Sequence, residues 1–115
     1  MKEINFYKYN RIFGIVAGLF SFVIFSLTVE PTASYWDCAE YISTSAKLQI
    51  GHPPGAPLFQ MLGAIFSILA FDVTQIAYAV NMMSVTSSAL TIMFLFWSIS
   101  LIAKEILKAK EIVKV

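Results

Sequence analysis

The sequence predicts an all-α membrane protein: two transmembrane helices flanking an extracytoplasmic loop that carries two amphipathic or re-entrant helices. Three observations predict it. Of the 115 residues 58% are hydrophobic and only 13% charged, against about 25% charged in ordinary globular chains. Two long stretches carry no charge, Ile12 to Val29 and Val73 to Ala103. Basic residues gather at both ends, with Lys2, Lys8 and Arg11 before the first stretch and Lys104, Lys108, Lys110 and Lys114 after the second. Between them stand only Lys47 and His52. Positive flanks stay cytoplasmic, so both ends belong on one side and the number of crossings is even.

Residues 1–11 form a short polar head whose Tyr7 and Tyr9 suit an interfacial aromatic anchor. The run 12–29 has 18 residues, close to the roughly 20 a spanning helix needs. A signal peptide is the competing reading, with Thr32-Ala33-Ser34 as small residues for cleavage. Its apolar core would normally be about 7–15 residues, shorter than this run. Glu30-Pro31 closes the first helix and opens the loop, 30–72.

Within the loop Ser34 to Asp37 fits a capping box, a hydroxyl followed three residues later by an acid. A helix over about 34–48 follows, with Tyr35 and Trp36 at the depth of an aromatic belt. His52-Pro53-Pro54-Gly55 cannot be helical, because residues before proline are driven to extended geometry and proline lacks a donor. Pro57 suits the first position of another helix, over 57–71. There Leu58, Met61, Leu62, Ile65, Phe66 and Leu69 make an apolar side. Gln60, Gly63, Ala64 and Ser67 make a small-residue side suited to close packing. This segment is short for a span, and the even-crossing argument keeps it from traversing.

The second transmembrane helix, 73–103, would be about 46 Å long, more than the roughly 30 Å hydrocarbon core. Its first turns are therefore expected to project beyond the membrane. Thr74, Tyr78, Asn81, Ser84, Ser88, Thr91 and Ser98 form a polar stripe along it. Such side chains face other helices in membranes, so further transmembrane helices, from the same or another chain, are expected. Residues 104–115 continue as an amphipathic cytoplasmic tail in which Glu105 and Glu111 sit among lysines. Nothing interleaves basic and aromatic residues as a nucleic-acid interface does.

The chemistry is concentrated in 34–58, which holds the sole histidine, the sole cysteine, three of the four prolines and two of the seven acids. Asp37 and Glu40, three apart, share a helix face that Thr44 and Lys47 continue. Two carboxylates beside a rigid elbow bearing His52 suit general acid–base work: one takes a proton from an attacking hydroxyl. The other orients the acceptor or binds a divalent cation, while His52 hydrogen-bonds a phosphate or sugar. Plainer readings stand beside these. Asp37 serves equally as a cap and helix-dipole partner, and Glu40 as a solvated side chain or a partner for Lys47. His52 serves as a loop hydrogen-bonder, and Cys38 as a small packing residue.

Two motifs, Thr28-Val-Glu-Pro-Thr-Ala-Ser-Tyr-Trp-Asp37-Cys-Ala-Glu40 and Ala46-Lys-Leu-Gln-Ile-Gly-His52-Pro-Pro-Gly-Ala-Pro-Leu-Phe-Gln-Met-Leu-Gly63, closely resemble the start of the transmembrane protein 260 family. That family contains an animal protein O-mannosyltransferase and many bacterial relatives. More distantly the layout is similar to the GT-C superfamily of polytopic glycosyltransferases, whose first loop follows the first transmembrane helix and carries an acidic motif. In protein O-mannosyltransferases a related His-Pro-Pro follows that motif. The resemblance covers roughly 12–103 and implies the N-terminal part of a GT-C-like fold. It implies inverting transfer of a sugar from a polyprenyl-phosphate donor to a protein hydroxyl.

By that resemblance Asp37 is the base and Glu40 its neighbour in the site, while His52, Lys47 and Trp36 contact substrate. Two residues separate the acids here, where the O-mannosyltransferases have them adjacent, so the two roles can be exchanged. No cofactor is implied beyond a divalent cation. Family members are many times longer, so the chain is expected to be a fragment or split product, inactive alone. The bacterial inner membrane is the expected location, with loop 30–72 periplasmic and both termini cytoplasmic. The alternative is a small non-catalytic membrane subunit docking on a larger partner.

Overall fold

The computed structural model describes the backbone of residues 5–113 and the side chains of residues 5–110. Lys2, the Glu111 side chain and Lys114 lie outside the described residues. Four α-helices follow in order, α1 Phe6–Thr28, α2 Cys38–Lys47, α3 Pro57–Ser67 and α4 Ile76–Val113, with a 3-10 turn at Val73–Gln75. No strand occurs among the described residues. The all-helical class, two long apolar helices and two short helices between them agree with expectation.

α1 starts six residues before the uncharged run. Asn5 caps it: its Oδ1 accepts from Lys8 N–H at 3.2 Å, meeting one of the donors a helix start leaves open. Both α1 and the helical segment Val73–Lys110 are long and apolar enough to cross a membrane. Only about a tenth of each apolar window is buried, as lipid-facing helices require and soluble core helices do not. The chain is therefore a membrane protein. The 11 residues of α3 give a helix of about 16 Å, roughly half the hydrocarbon core, in keeping with a segment that does not traverse.

Contacts divide the chain into two compact units, Met1–Ile24 with Ser88–Val115, and Phe25–Ser87. In the first, α1 and α4 run antiparallel. Gly14 and Gly18 are buried and let the helices approach: a Cβ at Gly14 would land in the Trp97 indole, and one at Gly18 would lie 3.0 Å from Met93 Cβ. Trp97 Nε1 donates to Asn10 O at 3.1 Å. Lys104 Nζ stands 3.9 Å from the Tyr7 ring centroid and 4.7 Å from that of Phe6, a cation over aromatic faces.

The second unit is built on α2 packed against α3. Gly63 sits against fully buried Ser45 and Val80, and Tyr41 meets Phe59 edge-on at 5.3 Å. Gln60 Nε2 donates to Thr44 Oγ1 at 3.2 Å in the buried seam. The small-residue face expected on this helix is thus the one that packs. Asn81 of α4 donates to the carbonyls of Glu30 at 2.8 Å and Thr32 at 3.0 Å, tying down the backbone after α1.

Besides the early start of α1, three boundaries differ from expectation. The capping box does not form: residues 35–37 make a turn in which Trp36 has φ 68°. A left-handed residue cannot continue a right-handed helix, so α2 begins at Cys38 with Asp37 as N-cap. α3 ends at Ser67, its last carbonyls taken by i→i+3 bonds such as Leu69 N to Phe66 O. Before α4, Asp72 Oδ1 accepts from Thr74 N–H at 2.9 Å and sets the 3-10 turn. The expected amphipathic tail does continue α4, to Val113.

Candidate active site

The site is a junction between the start of α2 and the proline elbow. α2 ends in Leu48 at φ 49°, with Leu48 N–H on Ser45 O and Gln49 N–H on Thr44 O. This left-handed stop turns the chain back along the helix, so that Gly51 and His52 return to the level of Glu40. Room there is tight: a Cβ on Gly51 would lie 3.0 Å from Gln60 Nε2 and 3.1 Å from Glu40 Oε1. A side chain at 51 would press on the ends of both Gln60 and Glu40. The elbow then folds on itself, with Gly55 at φ 74° and its N–H on His52 O at 2.9 Å.

Glu40 is the joint. Its Oε1 accepts the His52 backbone N–H at 2.7 Å, and its Oε2 lies 2.8 Å from His52 Nδ1. The elbow is held by both oxygens of one carboxylate. These bonds, backbone first and ring second, lower the Glu40 pKa. The same pairing raises that of His52, first through the side-chain hydrogen bond and then through the Glu40 charge, with a smaller push from Asp37. Hydrogen bonds to a charged form stabilise it, so each partner favours ionisation of the other.

Asp37 stands one turn earlier. It occupies the N-cap position but its side chain makes no cap hydrogen bond, so the reading of Asp37 as a side-chain cap is not realised. One ligand atom each from Asp37, Glu40 and His52 lies within 4.8 Å of the others. Asp37 and His52 are exposed and Glu40 half-buried. The expected pairing of Glu40 with Lys47 does not form; among the described residues Glu40 pairs with His52. Lys47 sits exposed in the last turn of α2, and Thr44, expected on the same face, turns inward to Gln60. Trp36, in the left-handed turn before Asp37, is 93% exposed. Cys38 is a half-buried free thiol.

Two carboxylates and an imidazole are a donor set that divalent transition metals accept. Two ligands on one such ion, each at about 2.0–2.2 Å, are at most about 4.4 Å apart. The trio is therefore near a common coordination sphere, and binding would exchange the Glu40–His52 bond for the ion.

Sequence reasoning overlooked Gly14, Gly18 and Gly51 as positioning residues, and placed Gln60 on a packing face without its partner Thr44. The Gly-x-x-x-Gly spacing of the first pair was the available signal. Gly51 shows only once the elbow folds back.

A family profile described as the protein O-mannosyl-transferase TMEM260 N-terminal domain matches residues 37–114, starting at Asp37. Among curated proteins, "Protein O-mannosyl-transferase tmem260" of Dictyostelium discoideum is 32% identical over 80 residues, 69% of this chain and 10% of that protein. "Protein O-mannosyl-transferase TMEM260" of Mus musculus is 32% identical over 76 residues, 66% of this chain and 11% of that protein. The chain thus spans about a tenth of the length of these relatives. No solved structure matches. With a match running from the acid that opens α2 to the end of α4, the chain belongs to the TMEM260 N-terminal domain family, whose curated relatives are named as protein O-mannosyl-transferases.

Proposed function

We propose that this chain is the acceptor-side portion of a GT-C-like membrane glycosyltransferase that moves a sugar from a polyprenyl-phosphate donor to a protein hydroxyl. The observation that carries the reading is the Glu40–His52 junction, which brings the acid helix and the proline elbow together with Asp37 alongside. Both Glu40 oxygens are committed to His52, and their bonds make Glu40 a weaker base than an ordinary glutamate. Asp37, whose carboxylate makes no cap bond, is the group left to accept a proton.

In the reaction the acceptor hydroxyl oxygen forms a bond to the anomeric carbon of the sugar. The bond from that carbon to the phosphate oxygen breaks, and its electron pair leaves with the polyprenyl phosphate. The hydroxyl proton passes to Asp37. His52, held toward its protonated form by Glu40, has Nε2–H for a donor phosphate oxygen, a charge-assisted bond. A divalent cation on Asp37, Glu40 and His52 would supply further neutralisation of that phosphate. Lys47 and Trp36 contribute charge and a stacking surface at the rim.

We place loop 30–72 on the extracytoplasmic face of a bacterial inner membrane and the lysine-rich ends in the cytoplasm, and we expect this portion to need the helices of the complete enzyme for turnover. The relatives are named for mannose, which makes mannose the first sugar to test. Asp37→Asn in the complete enzyme, assayed with polyprenyl-phosphate mannose and a serine/threonine peptide, should lower kcat by about 10²–10⁴ with KM little changed. Unchanged turnover would remove Asp37 from the base role.

A further inference from the structure

The first unit carries a second polar feature that the proposed transfer chemistry does not use. A groove of about 410 Å³ opens between α1 and α4, lined by Tyr7, Asn10, Arg11, Ile15, Trp97 and Leu101. We propose that it binds the phosphate of an anionic membrane phospholipid, with Arg11 as the principal contact and the Ile15–Leu101 end receiving the first methylenes of the lipid tails.

The polar atoms of the lining are almost all donors. Asn10 Oδ1 is taken by the Ser100 hydroxyl, which leaves the Asn10 amide nitrogen for a ligand oxygen. Its backbone carbonyl is occupied by the Trp97 indole N–H. Arg11 offers a guanidinium fork suited to two phosphate oxygens, and among the described residues it forms no ion pair. Tyr7 adds a hydroxyl. Lys104 is held at the same end by the faces of Tyr7 and Phe6, so a second fixed cation contributes to the potential there. A lining of donors with unpaired positive charge selects an anion.

The apolar end selects the kind of anion. From Arg11 to Ile15 is one helical turn, about 6 Å, and over that distance the wall passes from guanidinium to hydrocarbon. Ile15 and Leu101 are 41% and 43% exposed, so their side chains remain available to a ligand. The uncharged stretches begin at Ile12 and end at Ala103, which sets the groove at the level where a bilayer changes from head group to acyl chain. Basic pockets between transmembrane helices at that level recognise anionic head groups. A free phosphate ion would satisfy Arg11 but leave the apolar end uncovered.

Trp97 lines the groove and reports on it. In nanodiscs holding the full-length protein, Trp97 emission, isolated by difference from Trp97→Phe, should be quenched by brominated phosphatidylglycerol at a much lower lipid fraction than by brominated phosphatidylcholine. Arg11→Gln should reduce that preference by about tenfold, the size of one lost charge-assisted contact, while Arg11→Lys should retain part of it. Leu101→Phe, which fills the apolar end and leaves Arg11 in place, should weaken quenching by both lipids. Equal quenching by the two lipids, or an unchanged preference in Arg11→Gln, would overturn the proposal. So would loss of the preference on adding inorganic phosphate but not chloride at equal ionic strength, because the site would then be one for a free oxyanion.

Discussion

Replacing Gly63 with alanine tests the packing that holds the site. Gly63 lies in the α2–α3 seam, where an added Cβ would stand 2.6 Å from Ser45 Oγ, 2.8 Å from Ser45 Cβ and 3.5 Å from Val80 Cγ1. Ordinary contacts begin near 3.4 Å. Rotating Ser45 about χ1 moves Oγ but leaves its Cβ in place, so the two helices must separate by about 0.6 Å, an over-packing that costs about 1–3 kcal/mol. Ser45 is fully buried and so is Val80, and neither can swing into open space.

The assay is a reversible unfolding titration of the detergent-solubilised protein, followed by helical circular dichroism. Ser45→Gly in the Gly63→Ala background removes the obstructing Cβ and should recover most of the loss, less about 1 kcal/mol for glycine within a helix. Ser45→Ala in that background keeps the Cβ and should recover little. On its own Ser45→Ala should be neutral or stabilising, because the Ser45 hydroxyl is buried with no hydrogen-bond partner among the described residues. A Gly63→Ala variant within about 0.5 kcal/mol of the parent, or equal rescue by alanine and glycine, would refute the reasoning.

Further outcomes follow from the junction and from the charge distribution. His52 should titrate above its ordinary value of 6.5 by NMR, and Glu40→Gln should bring the midpoint back toward it; an unmoved midpoint would dissolve the pair. The His52 contribution to stability is complete below pH 6.5 and lost as pH rises through its raised pKa. The Glu40 contribution is complete above 4.5 and lost as pH falls through its lowered pKa. The elbow is therefore held most firmly between those two limits, and proteolysis at 52–55 should be slowest there. A cysteine at position 52 should react with an impermeant maleimide from outside the cytoplasm and one at position 110 only from inside. The reverse pattern would overturn the proposed orientation.

The order of helices was legible in the residues because the bilayer imposes simple constraints on composition. Uncharged runs of spanning length mark α1 and α4, consecutive prolines exclude a helix at 53–54, and Pro57 marks the first residue of α3. Asp37, Glu40 and His52 stood out as the two acids and the sole histidine of the polar stretch between apolar segments. Their grouping was expected, but its bonding was not. Spacing on one helix relates Glu40 to Asp37 and Lys47, whereas its partner is His52, twelve residues away and reached only because Leu48 turns left-handed. The capping box at Ser34 was a sound local rule overridden at Trp36, whose positive φ no short pattern announces.

Sequence by itself determined that this chain enters a membrane, how many long helices it has, and that its histidine, cysteine and three of its prolines gather with two acids in one polar stretch. Hydropathy and proline geometry act locally, and no packing is needed to read them. Tertiary structure alone decided that Glu40 spends both oxygens on the elbow and that Asp37 does not cap its helix. It also decided that Gly14 and Gly63 are points of closest approach and that Arg11 faces a groove. Each of these depends on which residues meet through space, and that is settled by packing between helices far apart in the chain.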